Sequence, residues 1–294
     1  MKYRLVEFLQ CPDHPEYMLQ VRNAELSDVF PCSNSLGSPA CRKGCGMYGN
    51  WLSEISPYLP VEYLPNCRRC MRVEIEKGEL VCPECGWEIR IRDGVLKATA
   101  DVTGHTKGNA LNSSEGKAIE RILDLHQGET ALSFIDLPQR TLETWAASKI
   151  ERVQVENNQE KLAQDRAASC ADSNSLVHYL EGPFNPAIFR AGLFDALVAK
   201  VKCESISNSD EAYMRIPELT RMSGRILLIF DCDKASKPVK EESVEEYRGM
   251  LPAGFSGLEM SLHRSRSMTM LLLTNPDPYA GSGIAGPASL PGAE

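Results

Sequence analysis

The pairs Cys67-Arg-Arg-Cys70 and Cys82-Pro-Glu-Cys85 place four thiols in two CxxC units, eleven residues apart. Thiolates are soft anionic donors, and four of them in a tetrahedron close a zinc site, leaving no position for water. Such an ion supplies folding energy and no chemistry of its own. The intervening MRVEIEKGELV alternates, with a turn expected at Lys77-Gly78, so a hairpin would carry both pairs to one point. Gly86 after Cys85 suits a tight knuckle whose N–H groups face sulfur. Disulfides are the competing use of such pairs.

Cys11-Pro-Asp-His14 also has ligand spacing, with imidazole as its second donor. Cys32, Cys41 and Cys45 lie in CSNSLGSPACRKGC, a polar stretch with little to bury and thus a need for a crosslink or metal. We expect a second zinc held by three or four of Cys11, His14, Cys32, Cys41 and Cys45. An iron–sulfur cluster is an alternative, although the spacing lacks a CxxCxxC run. Free thiols are another.

The rest of the chain resembles an ordinary globular protein. It has 294 residues, 43% hydrophobic and 24% charged, enough for one large core and a smaller attached domain. No apolar run reaches membrane-spanning length, and MKYRLVEFLQCPDHPE lacks the pattern of a secretion signal, so the expected location is cytoplasmic. A net charge of -8 gives no indication of a broad nucleic-acid surface.

From residue 116 onward, strand-like and helix-like segments alternate. Strands are expected at 121–125, 153–156, 175–180, 193–199 and 225–230. Helices are expected at 141–149, 158–169 and 241–248, and closing strands at 255–262 and 268–273. Ile226 to Phe230 is an unbroken apolar run, the mark of a strand buried on both faces in a parallel sheet. These segments call for a layered α/β domain.

The motifs LVEFLQCP and GELVCPECGWEIRIRDGV resemble the small zinc-binding domain of the Trm112 type. Leu5, Phe8, Leu9, Cys11 and Pro12 match its first element. Gly78, Leu80, Cys82, Cys85, Ile91, Asp93, Gly94 and Val95 match its last. His14 stands where that family has its second cysteine, and about fifty residues carrying Cys32 to Cys70 look inserted. Such domains often precede or accompany methyltransferases.

Residues 116 to 274 are similar to class I S-adenosylmethionine-dependent methyltransferases. This resemblance implies an α/β fold with a Rossmann-like sheet behind a small N-terminal zinc-binding domain. It also implies a set of cofactor residues. ILDL would be the first strand, with Asp124 in it. His126, Gly128 and Thr130 would occupy the G-x-G-x-G turn, Glu156 would bind the ribose, and Glu181 would lie near the adenine. Only one glycine of that turn is kept, and His126 and Glu129 would crowd a carboxylate-bearing ligand. The expectation is therefore a degenerate fold serving a protein complex, with an active methyltransferase of unnamed acceptor as the alternative.

The expected boundaries are a zinc-binding domain over 1–97, a linker over 98–115, the methyltransferase-like domain over 116–274 and a flexible tail over 275–294. Asp231-Cys232-Asp233 is read as a polar strand end rather than a metal site. His178 and His263 are read as ordinary core or surface histidines.

Overall fold

Alternation along the strands decides which element covers which face. The computed structural model describes residues 3–27, 74–97, 111–156, 162, 177–182, 185–202, 214–231, 244–251, 253–264 and 268–276. Within these residues eleven strands form one sheet. They are β1 (Gln20–Ser27), β2 (Glu74–Val81), β3 (Glu88–Arg92), β4 (Val95–Lys97), β5 (Thr130–Ser133), β6 (Glu151–Glu156), β7 (Val177–Glu181), β8 (Phe194–Lys202), β9 (Thr220–Asp231), β10 (Glu259–Arg264) and β11 (Thr269–Thr274). Their spatial order is β1-β2-β3-β4-β7-β6-β5-β8-β9-β11-β10.

Strands β7-β6-β5-β8-β9 are parallel, and β11 runs antiparallel to β9. Counted from β5, those five run 3-2-1-4-5, the order of a doubly wound sheet up to its last position. The first four strands form an antiparallel meander, and β4 joins the larger part by pairing in parallel with β7, Leu96 opposite Leu180.

One face of the parallel strands carries Leu132, Val153, Val155, Leu180, Phe194, Leu197, Ile226 and Leu228. The N-terminal 3-10 segment Tyr3–Phe8 lies on it, and Leu5, Phe8 and Leu9 are buried there. Burying side chains the size of Phe8 and Leu9 contributes about 2 kcal/mol each. The opposite face carries Ala131, Ala196, Val198, Leu227 and Ile229, covered by helices α1 (Ser113–Leu123) and α2 (Gln139–Ala147) through Ile119, Leu123 and Trp145.

Several elements differ from the sequence reading. Residues 121–123 end α1 and are no strand. Asn112 and Glu115 form a capping box that starts this helix inside the expected linker, and Ile119, Ile122 and Leu123 fall at helical spacing. Asp124 is its left-handed C-cap, φ 43° and ψ 56°. The first parallel strand is Thr130–Ser133, too short and too mildly apolar to stand out. Lys77-Gly78 is no turn either: β2 runs straight through it. Gly78 has φ +155° and packs against β1, where a Cβ would lie 3.2 Å from the Ala24 Cα. The other expected strands are present, as are the helices at 139–147 and 244–250. The expected helix over 158–169, apart from Leu162, and the tail from 277 lie outside the described residues.

Candidate metal centre and the two edges of the parallel sheet

β2 and β3 are joined by Cys82-Pro-Glu-Cys85-Gly86-Trp87. The Gly86 N–H donates to the Cys82 carbonyl at 3.0 Å, and the Cys82 N–H to the Trp87 carbonyl at 2.8 Å. Gly86, with φ +75°, takes the left-handed conformation that this tight knuckle needs. The knuckle faces the chain immediately after the N-terminal segment. Ligand atoms of Cys11, His14, Cys82 and Cys85 all lie within 4.8 Å of one another. Cys11 Sγ is 3.6 Å from Cys85 Sγ and 3.9 Å from His14 Nδ1. Zinc–sulfur bonds of about 2.3 Å in a tetrahedron imply edges of about 3.8 Å, so the donors are already spaced for the ion.

Three thiolates and an imidazole fit zinc by chemistry as well as by spacing. Burial pushes the Cys11 thiol up to about 11. Burial also raises Cys82, but the backbone N–H groups of Cys85 and Glu84 outweigh it and hold that thiol below its ordinary value. A cation would have to supply the charge that keeps Cys11 ionised.

The sequence reading grouped Cys82 and Cys85 with Cys67 and Cys70. Among the described residues the structure brings Cys11 and His14 to Cys82 and Cys85, a set of four donors. Cys32, Cys41, Cys45, Cys67 and Cys70 lie outside the described residues. The detectable signal was the family position of His14, since a histidine can replace the second cysteine without changing ligand count.

The six residues expected to hold a cofactor are not brought together. Asp124, His126, Gly128 and Thr130 lie before or at the start of β5, at the amino edge of the parallel strands. Glu156 and Glu181 lie at the carboxyl ends of β6 and β7 and face each other in register. Thr130 is opposite Glu151, five residues before Glu156, or about 16 Å along the strand. Ligands of open α/β sheets bind outside the carboxyl ends, so the turn HQGE is on the wrong edge.

That turn is a structural clasp. The Glu129 carboxylate accepts from the His126 N–H at 2.6 Å and pairs with Arg225 at 2.6 Å. Arg225 also donates to the Leu123 and Asp124 carbonyls at 2.5 and 2.8 Å, satisfying the end of α1. Asp195 accepts from the Thr130 N–H at 2.8 Å and pairs with Arg221 at 3.1 Å. Burial raises the Asp195 carboxyl above the usual carboxylate range, only partly offset by the Thr130 N–H and Arg221. Gly128 has φ +88°, and a Cβ there would meet nothing within 4 Å. Its left-handed backbone serves the turn's conformation.

The segment that does leave the carboxyl end of β5 is Phe134-Ile135-Asp136-Leu137-Pro138. No glycine occurs anywhere between Gly128 and Gly182. The Phe134 N–H is bonded to the Val198 carbonyl at 2.9 Å and the Ile135 N–H to Ser133 Oγ at 3.4 Å. Gln154 Nε2 and Ser133 Oγ both donate to the Ile135 carbonyl, at 2.6 and 3.0 Å. Ile135 and Leu137 are buried, and Phe134 packs edge-on against Phe189 at 6.0 Å between ring centroids. α2 follows with Pro138 as a cap that has no N–H. A Cβ at Gly116 of α1 would collide with Pro138 and Thr141, so the two helices meet closely there. At the neighbouring strand end, Lys97 of β4 pairs with Glu181 at 3.1 Å.

Residues 2–94 match the family of Trm112p-like proteins. No curated protein matches the chain. Among solved structures, TrmN from Thermus thermophilus superposes with a TM-score of 0.42 at 16% identity, covering 58% of this chain and 50% of that one. A putative S-adenosyl-L-methionine-dependent methyltransferase from Methanococcus maripaludis gives 0.43 at 12%, covering 55% and 84%. Phosphoethanolamine N-methyltransferase 2 from Haemonchus contortus, in complex with S-adenosyl-L-methionine, gives 0.42 at 12%, covering 57% and 55%. The chain thus spans half the length of the Thermus protein. No described helix is long and apolar enough to cross a membrane. Residues 2–94 are thus similar to Trm112p-like proteins, and the same sheet continues into a mixed α/β unit whose structural neighbours include S-adenosylmethionine-dependent methyltransferases.

Proposed function

We propose that this protein is a non-catalytic, methyltransferase-like zinc protein acting as a structural or assembly subunit of a cytoplasmic complex. The observation that carries this reading is the segment after β5. A methyl donor of this class must lie against bare backbone there, and Phe134 to Pro138 offers no glycine, two engaged N–H groups and buried apolar side chains. Cys11, His14, Cys82 and Cys85 hold one structural zinc in this reading.

A second reading is favoured by Glu156 and Glu181, two carboxylates side by side at the correct edge. On that reading the unit still binds S-adenosylmethionine and transfers its methyl group by holding donor and acceptor in line. Titration calorimetry with S-adenosylmethionine and its demethylated product separates the two. No binding below millimolar concentration is expected. Micromolar binding that weakens in Glu156→Ala would overturn the non-catalytic reading. Metal analysis of protein purified without added ions is expected to return one or two zinc equivalents.

A further inference from the structure

The two ligand pairs of the metal centre sit in different surroundings. Cys82 and Cys85 belong to the antiparallel strands. Cys11 and His14 belong to the N-terminal segment, and the α/β unit grips that segment on both sides of the pair. Before the pair, the Arg190 N–H donates to the Phe8 carbonyl and its Nε to the Leu9 carbonyl, both at 3.0 Å. The Gln10 N–H donates to the Ile188 carbonyl at 2.8 Å, and its side chain to the Ala187 carbonyl at 3.2 Å. Leu9 and Phe189 form an antiparallel bridge. After the pair, Arg190 Nη2 reaches Met18 Sδ at 2.6 Å. Phe8 lies against the rings of Phe194 and His178, at 5.5 and 5.8 Å between centroids. Cys11 and Leu19 are buried in the same core as Ile188, Phe189 and Phe194.

We propose that metal binding at Cys11, His14, Cys82 and Cys85 and docking of residues 3–10 on residues 186–190 are one coupled equilibrium, so that each strengthens the other. This rests on the zinc reading given above. Gln10 is anchored to Ile188 and Cys11 follows it directly, so an undocked segment carries its ligands out of register. Metal–ligand distances tolerate about 0.2 Å, far less than such a displacement. In the other direction, the ion ties Cys11 to the β2–β3 knuckle and thereby holds Phe8 and Leu9 against the parallel strands. Arg190, which bonds the chain on both sides of the ligand pair, is the positioning residue. Its guanidinium is shielded from water and faces the charge of Glu7. Coupling of this kind is reciprocal: whatever the ion adds to docking, docking adds to the ion's affinity.

The test is zinc affinity of the full chain, measured by competition with a chromophoric chelator, for wild type, Gln10→Ala and Arg190→Lys. Neither residue is a ligand. Each variant is expected to bind zinc about tenfold more weakly, within the usual range of coupling between sites. Hydrogen exchange on the wild type gives the converse: stripping the metal is expected to raise exchange at 186–190 together with 80–87, while α1 stays protected. Should Arg190→Lys fail to fold, Gln10→Ala, which removes one side-chain hydrogen bond, decides the matter. Unchanged zinc affinity in the folded variants, or unchanged exchange at 186–190 after stripping, overturns the coupling and leaves the zinc site standing. A wild-type chain that retains no zinc overturns both.

Discussion

The antiparallel strands β1 to β4 and the parallel strands β5 to β9 share one sheet, yet they keep their character by different means. The first region brings together four side chains that can hold an ion, beside the buried Ile75, Leu80, Ile89, Ile91 and Leu96, and its strands are short or partly exposed. In the second the order comes from two faces of buried aliphatic side chains, with the Arg225–Glu129 and Arg221–Asp195 ion pairs at the amino edge. A fold resting on a few ligands fails when one is lost. A fold resting on packed area loses stability in increments, and it can lose a ligand site without losing its shape.

Four substitutions press on that contrast. The largest effect is expected at Cys82→Ser, which removes a buried thiolate from the metal centre. Zinc retention should be lost and the melting temperature should fall by roughly 10 °C, the scale of several kcal/mol in a chain of this size. His14→Cys is the conservative partner, restoring four thiolates and expected to keep one zinc at this site by metal analysis. If Cys82→Ser melts like the wild type, the first region does not depend on its ion.

A smaller loss is expected within the parallel strands at Glu151→Ala. Glu151 is hydrogen-bonded to His178 at 2.8 Å, both buried, and removing one partner of a buried hydrogen bond costs about 2 kcal/mol. Chemical denaturation reads this directly. Zinc content should remain unchanged, which distinguishes it from the metal-site variants.

The smallest effect is a slope. The folded Asp195 carboxyl titrates above its unfolded value, so the native state holds the extra proton between the two. Stability contributed by that proton is present below the unfolded value and declines as pH rises through the folded one. Asp195→Asn is expected to flatten this decline just above the usual carboxylate range, as followed by denaturant midpoints across pH. An unaltered slope would place the titrating group elsewhere.

The sequence made ligands easier to read than backbone geometry. Cys82 and Cys85 declare a metal by type and spacing, and Cys11 and His14 do the same. Which pair meets which depends on how the N-terminal segment lies across the sheet, and spacing carries no record of that. Ile226 to Phe230 announces a buried strand through five apolar residues. Thr130 to Ser133 is equally buried but has one large aliphatic side chain, Leu132. The ILDL pattern eight residues earlier therefore outweighed it. The capping box at Asn112 and Glu115 was visible and would have pointed to a helix, placing the turn at the opposite edge.

Lys97 and Leu96, paired alongside β7, have one more effect. The outer strand of a parallel sheet is an open row of donors and acceptors that invites an additional chain. Here the polypeptide fills its own vacancy at that position, which leaves β1 and β10 as the outermost strands among the described residues. A visitor seeking strand-to-strand contact would find the β7 border already taken, and it would have to come alongside Gln20–Ser27 or Glu259–Arg264 instead.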